Sequence, residues 1–140
     1  MSENEKTVAK VMIVDQDDQY LLMYRSDHPM FGTDPDLPGG TQEDDETEFE
    51  TMLREAQEEA GVTLDAAAAR EIFSSTDYSD HESKYALFGI RVGNRPDIIM
   101  SWEHSSYEWI PRHEFIDKCR AANDSYMHMV GDAVNADLSL

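Results

Sequence analysis

Three glutamates, Glu55, Glu58 and Glu59, are spaced so that a helix would bring their carboxylates together. Positions i, i+3 and i+4 lie on one helical face, with neighbouring Cβ atoms about 5–6 Å apart. Like charges at this spacing destabilise a helix by roughly 0.2–0.5 kcal/mol per pair. Carboxylate oxygens are the ligands that hard cations such as Mg²⁺ and Mn²⁺ prefer. The spacing therefore suits a divalent-metal site, and a merely solvated acidic face is the alternative.

The residues around these glutamates favour the metal site. Between positions 34 and 59 the sequence has eleven acidic residues and one basic residue, Arg54. The acidic residues are Asp34, Asp36, Glu43, Asp44, Asp45, Glu46, Glu48, Glu50, Glu55, Glu58 and Glu59. Crowded carboxylates raise one another's pKa unless a cation lies among them, and a bound divalent ion would relieve that repulsion. The glycine pair at 39–40 could turn a bare carbonyl towards such an ion.

The stretch from Thr47 to Ala60 is predicted to be the helix that carries the three glutamates. Thr47 with Glu50 three residues on forms a capping-box signature, and Gly61 stands where a helix end favours the left-handed conformation. The apolar residues of the stretch recur at helical spacing. They are Phe49, Met52, Leu53, Ala56 and Ala60. We therefore expect the helix to bury this apolar stripe.

The remaining sequence predicts strands on both sides of this helix and two further helices at the end. The predicted strands are Val8–Val14, Tyr20–Tyr24, Arg70–Ser75, Lys84–Val92 and Tyr107–Ile110. Ser26–Thr41 is predicted to be a loop because Pro and Gly recur there. Helices are predicted over Pro111–Ala122 and Asp124–Ala136. With no repeat or linker in view, we expect residues 1–140 to be a single domain of the α+β class.

Residues 40–62 resemble the Nudix box, G-x5-E-x7-R-E-U-x-E-E-x-G-U, in which U is an aliphatic residue. They read GTQEDDETEFETMLREAQEEAGV and match the pattern at every fixed position, with Ala56 and Val62 at two aliphatic positions. Such a match over 23 positions is highly specific. By this resemblance we expect a Nudix-type α/β/α sandwich, in which helices flank a mixed sheet. The resemblance also implies an enzyme that uses Mg²⁺ or Mn²⁺ to hydrolyse phosphoanhydride bonds.

The resemblance assigns the metal-binding roles within the box. Glu58 and Glu59 would be the principal metal ligands, with the carbonyl of Gly39 as a further one. Glu55 would act as general base or as an additional ligand, since members of the family differ on this point. Divalent ions neutralise phosphate oxygens and activate the attacking water. A nearby glutamate would then accept the proton from that water.

Two further residues of the box have supporting roles by the same resemblance. Arg54 would orient the carboxylates through Glu46, although Glu50 one turn earlier competes as a routine helix partner. Gly40 would lie at the substrate.

Outside the box, the resemblance suggests one more carboxylate and one cation. Glu108, in the pair Glu108-Trp109, looks like the glutamate that MutT-like members supply to the metal or the attacking water. Glu103 and Glu82 compete with it for that role. Arg25, at the end of a predicted strand, could place a fixed positive charge at the phosphates, or it could be a solvated strand-end residue.

Two residues bear on the substrate. Asn123 weakly resembles the asparagine that reads a purine base in MutT-like members, and capping of the last helix is the competing interpretation. Tyr78 lies 16 residues past the box, near the position where dinucleoside polyphosphate hydrolases of the family tend to carry a tyrosine. The leading expectation is a nucleoside triphosphate split into a monophosphate and pyrophosphate. A dinucleoside polyphosphate or nucleoside diphosphate sugar hydrolase, and a non-catalytic nucleotide sensor, are the alternatives.

The composition limits the partners. A formal net charge of −19 from 30 acidic and 11 basic residues opposes binding to nucleic acid or anionic membranes. No apolar run approaches the roughly 20 residues that span a bilayer, so we expect a cytoplasmic protein, either monomer or homodimer. The histidines show no paired ligand spacing, so zinc is not expected and most should lie at the surface. They are His28, His81, His104, His113 and His128.

Overall fold

The computed structural model describes residues 6–78 and 83–136. Within these residues there are seven strands and three helices. The strands are β1 (Thr7–Val14), β2 (Gln19–Arg25), β3 (Pro35–Asp36), β4 (Gly39–Thr41), β5 (Arg70–Ser75), β6 (Lys84–Arg91) and β7 (His104–Pro111). The helices are α1 (Glu48–Ala60), which lies between β4 and β5, then α2 (Arg112–Ala121) and α3 (Ser125–Asn135).

The seven strands form one mixed sheet. β1 runs parallel to β6 along its whole length, and β6 pairs antiparallel with β5. β2 pairs antiparallel with β3 and with β7. The ladder joins β1 and β2 at Val14 and Tyr20, next to their connecting turn, whereas the other end of β1 pairs with β4. The two halves of the sheet therefore separate towards the beginning of β1 and the end of β2.

Alternation along β1 supplies both faces of the sheet with core residues. Met12 and Val14 belong to the core on one face, and Val11 and Ile13 belong to the core on the other, as the period of two in a strand requires. Helices α2 and α3 contribute to the first core, and α1 contributes to the second. The α+β class and the expected sheet flanked by helices are both confirmed.

Helix α1 begins and ends where the sequence predicts. The side chain of Thr47 accepts a hydrogen bond from the backbone of Glu50 (3.0 Å), and the side chain of Glu50 accepts one from the backbone of Thr47 (2.9 Å). Gly61 ends the helix with φ of 68°. Of the predicted apolar stripe, Met52, Ala56 and Ala60 are fully buried. The opposite face of the helix is therefore free to carry chemistry.

The structure departs from the prediction in the glycine-rich stretch. Two short strands, β3 and β4, lie inside the predicted loop Ser26–Thr41. They are too short for an alternating pattern to reveal, and Gly39 can pair there because its missing Cβ leaves room for Lys10 and the backbone of β1. β7 also starts earlier than predicted, at His104 instead of Tyr107. Pro111 is the N-cap of α2 and not a residue of its first turn.

Candidate active site

A cavity of about 750 Å³ lies where the two halves of the sheet separate. Its volume falls within the range usual for small-molecule sites, about 300–1,000 Å³. One wall consists of α1 and β4, which contribute Gly39, Gly40 and the glutamate face formed by Glu55, Glu58 and Glu59. The separation of β1 from β2 thus gives the carboxylates of α1 an opening for a ligand.

The three glutamates differ in their surroundings. Glu55 and Glu59 are buried, whereas the side chain of Glu58 is 57% exposed. Glu55 packs directly beneath Gly40, so closely that a Cβ on this glycine would lie 2.6 Å from the carboxyl carbon of Glu55. Burial raises the pKa of Glu55, while the nearby Arg54 guanidinium opposes that shift. A glycine at position 40 is therefore required for Glu55 to lie where it does.

Arg54 ties the loop before α1 to the glutamate face. Its Nε and Nη2 donate to the two carboxylate oxygens of Glu46 at 2.8 and 3.0 Å. Its Nη1 donates to Glu55 at 2.7 Å and to Glu58 at 3.1 Å. The hydrogen bonds from Arg54 lower the pKa of Glu46 to about 2. Glu50, the competing partner, instead accepts from the helix N-terminus.

Glu59 is held by the segment that leads into β7. One of its oxygens, Oε2, accepts a hydrogen bond from the Ser101 hydroxyl at 2.8 Å and lies 3.2 Å from Nδ1 of His104. Burial would raise the pKa of Glu59, but its contacts with His104, Glu103 and Ser101 lower it to about 2. The contact with Glu59 in turn raises the pKa of Glu103 to about 7. Glu103 is thus a fourth carboxylate at this wall of the cavity.

A buried ion network of Lys10, Arg25, Asp36 and His104 lies behind the carboxylates. Lys10 and Arg25 contact Oδ1 of Asp36, the latter at 3.3 Å, and Nε2 of His104 lies 2.8 Å from Oδ2. Burial would raise the pKa of Asp36, but the charge of Lys10 and the other contacts hold it well below its usual range. Burial opposes protonation of His104, yet its two carboxylate neighbours raise its pKa to about 9.

Arg25 is part of this network and is not a solvated strand-end residue. Its side chain is only 14% exposed, and Nη2 also donates to Asp124 at 2.9 Å. Its guanidinium carbon lies 4.9 Å from the ring centroid of Phe31, and both residues line the cavity. The Nε of Arg25 has no hydrogen-bond partner within residues 6–78 and 83–136. The charge of Arg25 therefore lies, largely buried, beside the cavity.

Of the residues predicted for the site outside the Nudix box, Glu108, Tyr78 and Asn123 do not line the cavity in the part of the chain that the structure describes. The carboxylate of Glu108 instead accepts from Tyr24 and, at 2.7 Å, from Lys118. The hydroxyl of Tyr78 donates to Asp132 at 2.7 Å, and the side-chain amide of Asn123 donates to Asp34 at 3.1 Å.

These placements change the expected site. Asp124, and not its neighbour Asn123, caps α3. Glu108 is engaged by Lys118, whereas Glu103, which competed with it in the sequence, lines the cavity beside the glutamate face. Glu82, the other competitor, lies outside the described residues.

The donor set fits a divalent cation. Glu55, Glu58, Glu59 and Glu103 offer oxygen ligands at one wall of the cavity, and the raised pKa of Glu103 beside Glu59 is consistent with crowded negative charge there. Among the described residues no three His, Cys, Asp or Glu side chains are already gathered around one point. Arg54, Ser101 and His104 contact these carboxylates instead.

Sequence reasoning missed Lys10, Asp36 and His104. The expectation that most histidines lie at the surface is wrong for His104, whose side chain is 3% exposed. One signal was present, because Lys10 interrupts the apolar strand VAKVMIV and a charged residue in a buried strand needs a partner. No comparable signal marks Asp36 or His104, since their partners are distant in the sequence.

Comparison with known proteins identifies the family. A sequence profile of the NUDIX domain matches residues 4–129. The chain therefore belongs to the Nudix family, as its box indicates, and carries the domain of an enzyme family, the Nudix pyrophosphohydrolases. A comparison with curated protein sequences gives no match. No helix within residues 6–78 and 83–136 is long and apolar enough to cross a membrane.

Solved structures share the fold at low sequence identity. A MutT/nudix family protein from Enterococcus faecalis is 20% identical, with a TM-score of 0.73, and the match covers 97% of this chain and 63% of that one. An Ap4A hydrolase from C. elegans is 22% identical, with a TM-score of 0.62 and coverage of 92% and 96%. A bifunctional NMN adenylyltransferase/ADP ribose pyrophosphatase from Francisella tularensis was solved in complex with AMP and a manganese ion. It is 20% identical to this chain, with a TM-score of 0.72, and the match covers 96% of this chain and 42% of that one. The chain thus spans less than two thirds of two of these proteins.

Proposed function

We propose that this chain hydrolyses a phosphoanhydride bond of a nucleoside diphosphate-linked substrate, with a nucleoside triphosphate as the first candidate. The products would be a nucleoside monophosphate and pyrophosphate. The observation that carries the proposal is the glutamate face of α1, which lines a cavity of about 750 Å³ together with Gly39, Gly40 and Glu103. An acidic wall of this kind binds a polyphosphate only through cations, because like charges repel.

In this proposal Glu58, Glu59 and the carbonyl of Gly39 hold Mg²⁺ or Mn²⁺, and Glu103 is a further ligand. The ion, when bound, neutralises phosphate oxygens and activates the attacking water. Glu55 accepts the proton of that water, or acts as an additional ligand. Arg54 keeps Glu55 in place through the contact that it shares with Glu46.

Arg25 supplies the fixed positive charge at the phosphates. Its side chain is largely buried and lines the cavity, so its charge would lie beside a phosphate bound there. A charged donor in a partly dry site forms a stronger hydrogen bond to a phosphate than a solvated one does. The pairing with Asp36 and Asp124 fixes the guanidinium before the substrate arrives.

A panel of substrates tests the proposal. The chain is incubated with Mg²⁺ or Mn²⁺ and each of the nucleoside triphosphates, dinucleoside polyphosphates and nucleoside diphosphate sugars, and the products are separated by chromatography. We expect pyrophosphate and a monophosphate from at least one triphosphate, and no turnover when the ion is chelated. Preferred cleavage of a dinucleoside polyphosphate or of a nucleotide sugar would make that compound, and not a nucleoside triphosphate, the proposed substrate. Tight nucleotide binding without any hydrolysis would favour a sensor.

A further inference from the structure

We propose that His104 is a positioning residue that aims the carboxylate of Glu59 at the divalent ion. The inference rests on the metal site of the proposed function and adds a residue that lies outside the Nudix box. It is carried by the geometry of one buried side chain that touches the glutamate face on one side and the buried ion network on the other.

The two donors around Glu59 act on the same oxygen. The Ser101 hydroxyl donates to Oε2 at 2.8 Å, and Nδ1 of His104 lies 3.2 Å from that same Oε2. The contacts from Ser101 and His104 therefore fall on one oxygen, and together they set the orientation of the carboxylate group. Carboxylates that bind metals are commonly oriented in this way by hydrogen bonds from residues behind them.

The contact between His104 and Glu59 is close but misaligned. Nδ1 is buried and has no well-formed hydrogen bond within the described residues, although Glu59 is near enough for an ionic contact. A buried donor without an aligned acceptor destabilises the folded protein. A small rotation of the Glu59 carboxylate would align the bond, so the ring favours one orientation of its metal ligand.

The imidazole of His104 is itself fixed by Asp36, on the side of the ring away from Glu59. Its Nε2 lies 2.8 Å from Oδ2 of Asp36, a carboxylate that Lys10 and Arg25 fix in turn. The backbone of His104 pairs with Arg25 in the ladder between β2 and β7. With the ring fixed at both its backbone and its far nitrogen, Nδ1 has a defined direction, which is what a positioning role requires.

Two substitutions separate positioning from packing. In asparagine the side-chain nitrogen falls near the place of Nδ1, and in glutamine it falls near the place of Nε2. H104N therefore keeps a donor for Glu59 and loses the contact with Asp36, whereas H104Q keeps the donor for Asp36 and loses the contact with Glu59. The matched control is H113Q, at an exposed histidine of α2.

The readout is the affinity of the full chain, first stripped of metal, for Mn²⁺ alone, measured by the electron paramagnetic resonance of the free ion. We expect H104Q to weaken Mn²⁺ binding roughly ten- to hundredfold, the range known for residues that support metal ligands. H104N should change it less than about threefold, and H113Q should not change it. Equal affinities for all variants, or a larger loss in H104N than in H104Q, would overturn the proposal.

A double substitution tests whether the effect passes through Glu59. If it does, H104Q added to E59Q weakens Mn²⁺ binding far less than H104Q does in the parent chain, because the ligand it positions is already altered. Additive losses would overturn the proposal and leave a structural role. Circular dichroism confirms that each variant is folded at the measuring temperature.

A second measurement covers the case in which the variants do not fold. In the ¹⁵N-labelled parent chain, addition of Mg²⁺ should shift the ring nitrogen signals of His104 in step with ion binding, while those of His113 stay in place. Unchanged His104 signals at saturating Mg²⁺ would overturn the proposal. Neither experiment contains a nucleotide, so both test ion binding independently of hydrolysis. A chain that binds the ion but hydrolyses nothing in the substrate panel would refute only the proposed function. A chain that binds no divalent ion would refute both the proposed function and the role of His104.

Discussion

At the scale of single residues, the contact between Gly40 and Glu55 closely constrains the site. A Cβ at position 40 would lie 2.6–2.8 Å from the three carboxyl atoms of Glu55, closer than real Cβ contacts allow. The obstacle is the end of a flexible side chain, so Glu55 can move aside without unfolding the protein. We therefore expect G40A to fold normally but to hydrolyse its substrate roughly ten- to hundredfold more slowly, because small misplacements of a catalytic group are costly.

Gly93 provides a matched control for this prediction. A Cβ built on Gly93 meets nothing within 4 Å, so G93A should keep the activity of the parent chain. The comparison needs kcat and the melting temperature of both variants. A G40A protein with unchanged kcat, or one that loses its fold and its activity together, would show that Gly40 does not act through Glu55.

At the scale of elements, Asp36 joins β3 to β1, β2 and β7 through the buried ion network. Removing one partner from a buried ion group costs about 3–5 kcal/mol, since the remaining charges stay buried and unpaired. We expect D36N to lose stability of this order at pH 7, as measured by urea unfolding. The exposed Asp44 is the control, and D44N should unfold like the parent chain.

The pH dependence of the D36N effect follows from the lowered pKa of Asp36. A carboxyl whose folded pKa lies below its ordinary value of 3.8 stabilises the fold above that pH and loses this contribution as the pH falls. The difference in unfolding free energy between parent and D36N should therefore shrink as the pH falls below about 4. A difference that stays constant down to pH 3 would contradict the ion network.

The elements also show how far sequence reasoning reaches. Helix α1 could be predicted with both of its ends, because capping boxes, C-terminal glycines and apolar stripes are local signals. β3, β4 and the ion network could not, because they depend on contacts between residues far apart, such as Lys10 with Asp36. Within the box, the helical spacing was enough to predict that the three glutamates share one face. It could not show that Glu108 accepts a hydrogen bond from Lys118, since that contact depends on the packing of α2 against β7.

At the scale of the whole molecule, the formal net charge of −19 lowers the stability of the compact folded state through repulsion between like charges. The acidic side chains in excess repel one another across the surface. Dissolved salt screens this repulsion, and the screening length falls from about 10 Å at 0.1 M salt to about 3 Å at 1 M. Buried pairs such as Lys10 with Asp36 are screened much less. Added salt should therefore weaken the repulsion between surface charges while leaving the attraction within buried ion pairs largely unchanged.

We expect the melting temperature to rise by a few degrees between low and high concentrations of sodium chloride, with a chelator present to exclude effects of divalent ions. The measurement is thermal unfolding by circular dichroism at several salt concentrations. A melting temperature that is unchanged or falls with added salt would mean that surface repulsion does not limit stability.

The most direct test of the central claim is the rate of hydrolysis by E58Q. Glu58 is the most exposed member of the glutamate face, and the change from carboxylate to amide keeps the size of the side chain while removing its charge. We predict that kcat/KM with Mg²⁺ falls at least about a hundredfold, on the order of 3 kcal/mol of transition-state stabilisation. E114Q, at an exposed glutamate in the first turn of α2, should keep the parent rate. Hydrolysis by E58Q at the rate of the parent chain would contradict the assignment of this helix face as the metal site.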